Sequence, residues 1–309
     1  MPNWHAKAAI QATMSVLPGR QRLNRMFQKH LTHSLDLSDE YLLGKWERAQ
    51  AHVEGWREHG QSRRPGDDRF VAVEIGTGWF PVTSVGMILC GAERVRTYDV
   101  QSLADRPTVL AVMARFAQLI DDGAIDPPSQ VGRERLELAL SEPEGRAGHE
   151  LLALLGVDIH VRDPRQTGLP DRGVDLAVST STLAHIPPDA LHRLLVEIRR
   201  ITATGGIMSH IVDMADHYAQ VDGSINRFNF LRYSKRRWRL YNNPLHFQNR
   251  LRVNDYRQLF RDHDWEIVDE HDVSRPAEEL HAVPVHRDFA HYREEDLLVT
   301  AARFVCRRA

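Results

Sequence analysis

Two sets of residues in this 309-residue chain have the types and spacing of working chemistry. The first is Glu74-Ile75-Gly76-Thr77-Gly78, which follows the apolar run Phe70-Val71-Ala72-Val73, with Asp99 standing 21 residues beyond Gly78. Glycines let a backbone approach a ligand without a Cβ, and a carboxylate closing the next strand can accept hydrogen bonds from two ribose hydroxyls. This set describes a pocket for an adenosine-containing cofactor. The second set is Asp213-Met214-Ala215-Asp216-His217, with Asp222 just beyond and His185 upstream in Leu183-Ala184-His185-Ile186. Carboxylates and an imidazole this close suit a His-Asp general base, or Mg²⁺ held by a few ligands plus waters through Asp213, Asp216 and His217. A polar loop with ordinary capping acids would use the same residues.

The elements that must position these residues alternate. Strand-like stretches cover 70–75, 94–99, 157–161, 174–179, 206–212, 265–270 and 297–306, with helical patterns at 81–90, 106–121, 189–202 and 253–263. The expected fold is α/β, a mostly parallel seven-stranded doubly wound sheet whose last two strands form an antiparallel, hairpin-like edge. Ahead of it, Ser38 caps a helix over 38–59 with Leu42, Trp46, Ala49, Val53 and Trp56 on one face. Residues 1–66 thus form an N-terminal helical cap or lid, joined through a linker containing Pro65-Gly66 to a catalytic domain over 67–309. That domain carries insertions at 122–150 and 214–250, which are expected to shape the substrate site. The first 35 residues hold Lys7, Arg20, Arg22, Arg25 and Lys29 and no acid, a pattern shared by transit peptides, membrane-surface helices and basic lids as well as by plain surface helices.

Composition narrows the class. Forty Lys and Arg stand against 42 Asp and Glu, so the net charge of −2 makes nucleic acid an unlikely default partner. Cys90 and Cys306 support neither a disulfide framework nor a cysteine-rich zinc site, which points to a reducing, cytoplasmic setting. No apolar run approaches the roughly 18 residues of a membrane span.

The ordered set Glu74, Gly76, Gly78, Asp99 and Asp163, with strands between, resembles the class I S-adenosylmethionine-dependent methyltransferases. The stretches Val174-Asp175-Leu176-Ala177-Val178-Ser179, Leu183-Ala184-His185-Ile186 and Gly205-Gly206 look like that family's central segment. The resemblance covers roughly residues 70–213. It implies that Glu74, Gly76, Thr77 and Gly78 surround the methionine part of S-adenosyl-L-methionine, that Asp99 with Val100 holds the ribose, that Asp163 reaches the adenine amine, and that Thr180 lies nearby. Pro81 stands where a nicotinamide-binding Gly-x-Gly-x-x-Gly needs its last glycine, which makes a dehydrogenase a poor reading.

Methyl transfer from a sulfonium is an in-line displacement, helped by alignment and by taking a proton from the acceptor. His217, Asp213 and His185 are the candidates for that work. Strand alternation sends His210 and Asp213 to opposite faces. The insertion continues through Asn226 to Tyr241 with Arg and Lys interleaved among Phe, Tyr and Trp, followed by Asn249-Arg250-Leu251-Arg252. That composition suits a carbohydrate, a single-stranded nucleic acid, or a homodimer interface or fold support. The string Asp216-His217, Asn229-Phe230-Leu231-Arg232, Trp238 and Asn249-Arg250-Leu251-Arg252 is similar to bacterial methyltransferases found with polysaccharide assembly enzymes. The expectation is O-methylation of a saccharide or polar metabolite. An RNA methyltransferase and a non-catalytic S-adenosylmethionine-binding partner protein are the alternatives.

Overall fold

A computed structural model describes residues 3–20, 37–63, 68–101, 105–142 and 145–309. Arg22, Arg25, Lys29 and the linker's Pro65-Gly66 lie outside them. The sheet consists of β1 (Phe70–Ile75), β2 (Ala92–Asp99), β3 (Val157–Val161), β4 (Val174–Thr180), β5 (Thr202–Asp213), β6 (Trp265–Ser274) and β7 (Val299–Arg308), in the spatial order β3-β2-β1-β4-β5-β7-β6. The first five strands pair in parallel, and β7 is antiparallel to both of its neighbours. Every residue of β4 is buried, as a parallel strand covered on both faces requires.

The last two strands pair antiparallel with each other at one edge of the sheet, as the sequence pattern leads one to expect. β7 inserts between β5 and β6, leaving β6 outermost. The reason is compositional: Val299, Ala302, Phe304, Val305 and Cys306 bury β7 on both sides, whereas β6 carries Glu266, Asp269, Glu270, His271 and Asp272 and tolerates an open edge.

Among the described residues, α1 (Trp4–Ser15) and α2 (Asp39–His59) precede the sheet. Ser38 Oγ accepts the Tyr41 N–H at 3.2 Å and starts α2. Leu42, Trp46, Ala49, Val53 and Trp56 then enter the main core, each large one adding about 1.5–3 kcal/mol by burial. His52 fastens this helix to the sheet, its Nδ1 lying 2.7 Å from Ser209 Oγ and its Nε2 3.2 Å from Thr180 Oγ1. Helix α3 (Val82–Leu89) follows the glycine turn, and α4 (Arg106–Asp121) follows β2.

The 122–150 stretch packs on the main core. It contributes α5 (Gln130–Ser141) and leads into α6 (Gly148–Leu155), whose Leu136, Ala139, Leu151 and Leu152 complete the core beside α3 and α4. A Cβ on Gly132 would sit 2.7 Å from the Ile88 carbonyl, so the approach of α5 to α3 needs glycine there.

Helix α7 (Pro188–Ile201) covers β4 and β5, and α9 (Val253–Asp262) backs β6 and β7; the short α8 (Lys235–Trp238), α10 (Ala277–His281) and α11 (Glu294–Leu298) lie in the loops. Between β5 and α9 the insertion builds a separate apolar cluster of Phe228, Phe230, Leu231, Tyr233 and Trp238. Helix α1 docks on it. The Trp4 ring lies 4.8 Å from Tyr241 and 5.3 Å from Tyr218, and the Trp4 N–H donates to Asp222 Oδ2 at 2.8 Å. No helix among the described residues is long and apolar enough to cross a membrane.

Candidate active site

Parallel pairing brings the ends of β1, β2, β4 and β5 to one edge of the sheet. There the chain turns at Gly76, whose N–H donates to the Tyr98 carbonyl at 2.8 Å. Gly76 has φ +87° and lies against Thr182, so a side chain is excluded by both backbone and space. Gly78, at φ +67°, faces open space: a Cβ there would meet nothing within 4 Å. Its N–H donates to Asp99 Oδ2 at 3.1 Å, and the Gln101 N–H to Oδ1 at 3.0 Å. Burial raises the Asp99 carboxyl above its ordinary range, partly offset by these N–H groups. Each oxygen keeps a lone pair for a further donor. Val100, 66% exposed, adds an apolar surface beside it. An open glycine turn next to a fixed carboxylate fits the adenosyl and methionine parts of S-adenosylmethionine.

Other residues expected to touch the cofactor turn their side chains elsewhere. Glu74 is buried and accepts from Ser84 Oγ and from Thr97 Oγ1, the latter at 3.0 Å; burial pushes its carboxyl up to about 7. Thr77 Oγ1 pairs with Thr97 Oγ1 at 2.6 Å, and Thr180 Oγ1 faces His52. All three hold the strand ends together from inside. Asp163 forms a forked pair with its neighbour Arg165, with both carboxylate oxygens 2.9 Å from Nε, and this hydrogen bonding keeps its pKa below the ordinary range. The expected bond from Asp163 to an adenine amine would compete with that pair.

Further along the same edge lies the second set. Thr182, which touches Gly76, accepts the His185 N–H at its carbonyl (2.9 Å). His185 Nδ1 lies 2.7 Å from the Phe247 carbonyl. A carbonyl only accepts, so Nδ1 carries the proton and Nε2 keeps its lone pair. The ring is exposed, yet the protein around it lowers its pKa to about 4 by desolvation, the combination expected of a group lining a recess. Asn249 clamps this loop by donating to the carbonyls of Leu183 (2.9 Å) and Ile186 (3.0 Å).

The rings of His185 and His217 are 4.9 Å apart. His217 Nε2 lies 3.3 Å from Asp213 Oδ2, and Asp213 also accepts the Ala215 N–H at 3.0 Å. Burial works to raise the Asp213 carboxyl, but His217 and that N–H outweigh it and hold the pKa below its ordinary value. His210 is separated from this pair, as alternation predicts: it is fully buried, bonded to Ser179 Oγ at 2.8 Å and stacked on Phe260.

The Mg²⁺ expectation fails on Asp216. Its carboxylate turns inward to the Tyr218 N–H (2.8 Å) and Asn229 Nδ2 (2.9 Å), and burial raises its pKa to about 6. Among the described residues no three His, Cys, Asp or Glu side chains gather as metal ligands. Of the uses its composition suggests, the aromatic and basic insertion serves fold support through its buried members. Phe228, Phe230, Tyr233 and Trp238 are buried, and Arg250 and Arg252 donate to the carbonyls of Phe230, Tyr233, Met214, Leu297 and Val299. Arg232, Arg236, Arg237 and Arg239 remain exposed, Arg237 lying over the Tyr233 ring at 5.3 Å. Sequence reasoning missed Phe247 and His246, which carry no motif and matter only through where the insertion folds.

Residues 134–209 match the family model described as Methyltransferase domain. That segment runs from within α5 to within β5, so it includes Asp163 and His185 but neither the glycine turn nor Asp99. No curated protein gives a significant match. Solved structures similar to the chain include Burkholderia thailandensis 1,6-didemethyltoxoflavin-N1-methyltransferase (13% identity, 100% of this chain and 92% of that one, TM-score 0.47). Geranyl diphosphate C-methyltransferase from Streptomyces coelicolor A3(2) is similar at 14% identity over 88% and 84% of the two chains, with TM-score 0.44. The [4+2]-cyclase SpnF is similar at 17% identity over 85% and 81%, with TM-score 0.46.

Proposed function

We propose that this class I S-adenosylmethionine-dependent methyltransferase transfers its methyl group to a hydroxyl oxygen of a small polar acceptor, of which a saccharide is one kind. The observation that carries the reading is the His217–Asp213 pair at 3.3 Å, beside His185, on the sheet edge that also presents Gly78 and Asp99. A hydroxyl must lose its proton as the new C–O bond forms, so a positioned base is what such an acceptor needs.

S-adenosylmethionine, when bound, supplies an electrophilic methyl on a positively charged sulfur. Asp99 accepts hydrogen bonds from the ribose, and the space at Gly78 admits the ligand backbone. His185, neutral at physiological pH, offers its Nε2 lone pair to the acceptor hydroxyl and orients it; its low pKa makes it a weak base. His217 takes the proton. Asp213 Oδ2 lies 3.3 Å from His217 Nε2, and its carboxylate stabilises the imidazolium that results.

The test compares His217→Ala and Asp213→Asn with wild type for methyl transfer and for S-adenosylhomocysteine binding. Loss of a general base lowers turnover by about 10²–10⁴-fold while leaving cofactor affinity unchanged. Unchanged turnover in both variants would remove the assigned base.

A further inference from the structure

Helix α2 runs against the direction of the parallel strands. Near its C-terminal end, Trp56 meets Phe70 at the start of β1, with ring centroids 4.5 Å apart. One turn earlier, His52 Nε2 lies 3.2 Å from Thr180 Oγ1 at the end of β4. In the first turn, Tyr41 meets Phe80 with centroids 5.7 Å apart, and Phe80 stands two residues past Gly78. The N-terminal half of α2 therefore overhangs the sheet edge that carries the glycine turn and Asp99.

Tyr41, Lys45, Arg48 and His52 follow one another at spacings of four, three and four, which places them on one helix face. His52 fixes where that face points, toward the ends of β4 and β5. Lys45 precedes His52 by two turns, about 10 Å along the axis, and so stands beyond the strand ends. Lys45 Nζ lies 5.8 Å from the centre of the Tyr41 ring, which carries the ammonium toward the Tyr41–Phe80 contact and the glycine turn. Among the described residues no carboxylate forms an ion pair with Lys45 or with the exposed Arg48. Glu74, the acid of the turn itself, is committed to Ser84 and Thr97. The turn from Glu74 to Pro81 contains no Lys or Arg, so an anion held there takes its counter-charge from another element. Burial lowers the Lys45 ammonium to about 8, and it remains charged at neutral pH.

We propose that Lys45, with Arg48 one turn behind it, forms the subsite for the carboxylate at the methionine end of the cofactor. This rests on the methyltransferase reading above. Helix α2 then makes one side of the pocket and the Gly78–Asp99 turn the other. The ammonium supplies N–H donors and the opposite charge, a combination that binds a carboxylate more strongly than neutral donors do.

The test compares two ligands by calorimetric titration of the full-length wild type, Lys45→Arg and Lys45→Met. S-adenosylhomocysteine keeps the carboxylate, and methylthioadenosine lacks the amino-acid end altogether. S-adenosylhomocysteine binds Lys45→Arg nearly as well as wild type and Lys45→Met about tenfold or more weakly, the loss expected for a charge-assisted hydrogen bond. Methylthioadenosine binds all three proteins alike, which also shows that the variants fold. Unchanged S-adenosylhomocysteine affinity in Lys45→Met, or an equal loss of both ligands, overturns the subsite and leaves the methyltransferase reading intact. Failure of wild type to bind either ligand breaks that reading instead.

Discussion

Replacing Gly76 and Gly78 separately by alanine divides fold from function within a single turn. At Gly76 the new Cβ would lie 2.6 Å from Thr182 Cγ2, 3.0 Å from Thr182 Cβ and closer still to Oγ1. Rotating the threonine cannot relieve a clash that includes its Cβ, so the β4 loop must move. The left-handed backbone adds about 1–2 kcal/mol and the overpacking about 1–3, giving about 2–5 kcal/mol of lost stability. Because Thr182 accepts the His185 N–H, the displacement reaches the acceptor side as well. At Gly78 the backbone cost of about 1–2 kcal/mol stands alone, since the Cβ meets nothing within 4 Å. That Cβ instead occupies the space assigned to the cofactor. Urea unfolding and calorimetric titration with S-adenosylhomocysteine read the two effects. Gly76→Ala is expected to lose both stability and binding, and Gly78→Ala mainly binding, by tenfold or more on the order of one excluded contact. Wild-type affinity in Gly78→Ala, or equal stability of the two variants, would refute the placement of the pocket.

Arg252 is fully buried and donates to the carbonyls of Met214 at 2.7 Å and Leu297 at 3.0 Å, and to that of Val299. Arg252→Met leaves these acceptors without a donor and should cost about 3 kcal/mol or more in denaturant unfolding; a loss under 1 kcal/mol would mean the strap contributes little. His52 and His210 are fully buried and desolvation lowers both pKa values to about 3. Below the ordinary histidine pKa near 6.5 the unfolded chain takes up a proton that the folded one refuses, so each contribution is lost as pH falls from about 6.5 toward 3, at about 1.4 kcal/mol per pH unit. Unfolding of His52→Gln at pH 7, 6 and 5 should show a slope shallower by one such share, and an identical slope would contradict the burial of a neutral ring.

Much of the fold is written in local pattern. The apolar runs that became β1, β3 and β4, the capped helix from Ser38 and the Gly76–Gly78 turn with Asp99 each depend on residues close in sequence, or on one parallel neighbour. What escaped local reading depends on distant partners. Whether β7 lies inside or outside β6 is decided by which strand has two apolar faces to bury. Glu74, Thr77 and Thr180 carry the right chemistry for a cofactor, but Ser84, Thr97 and His52 claim their side chains first. Asp216 looks like a partner for His217 in the sequence, and a single helical-type turn directs it to Asn229 instead. The aromatic residues of the insertion read as a binding face because nothing in their spacing reveals that Trp4, from the other end of the chain, covers them.

The most direct test of the account is transfer of labelled methyl from S-adenosylmethionine into hydroxyl-bearing saccharides and polar metabolites, with RNA and amine-bearing analogues in parallel, each with and without a chelator. The account predicts label on oxygen in a small polar acceptor, unaffected by chelator and lost in His217→Ala. Label confined to RNA or to nitrogen, or full transfer by His217→Ala, would contradict it.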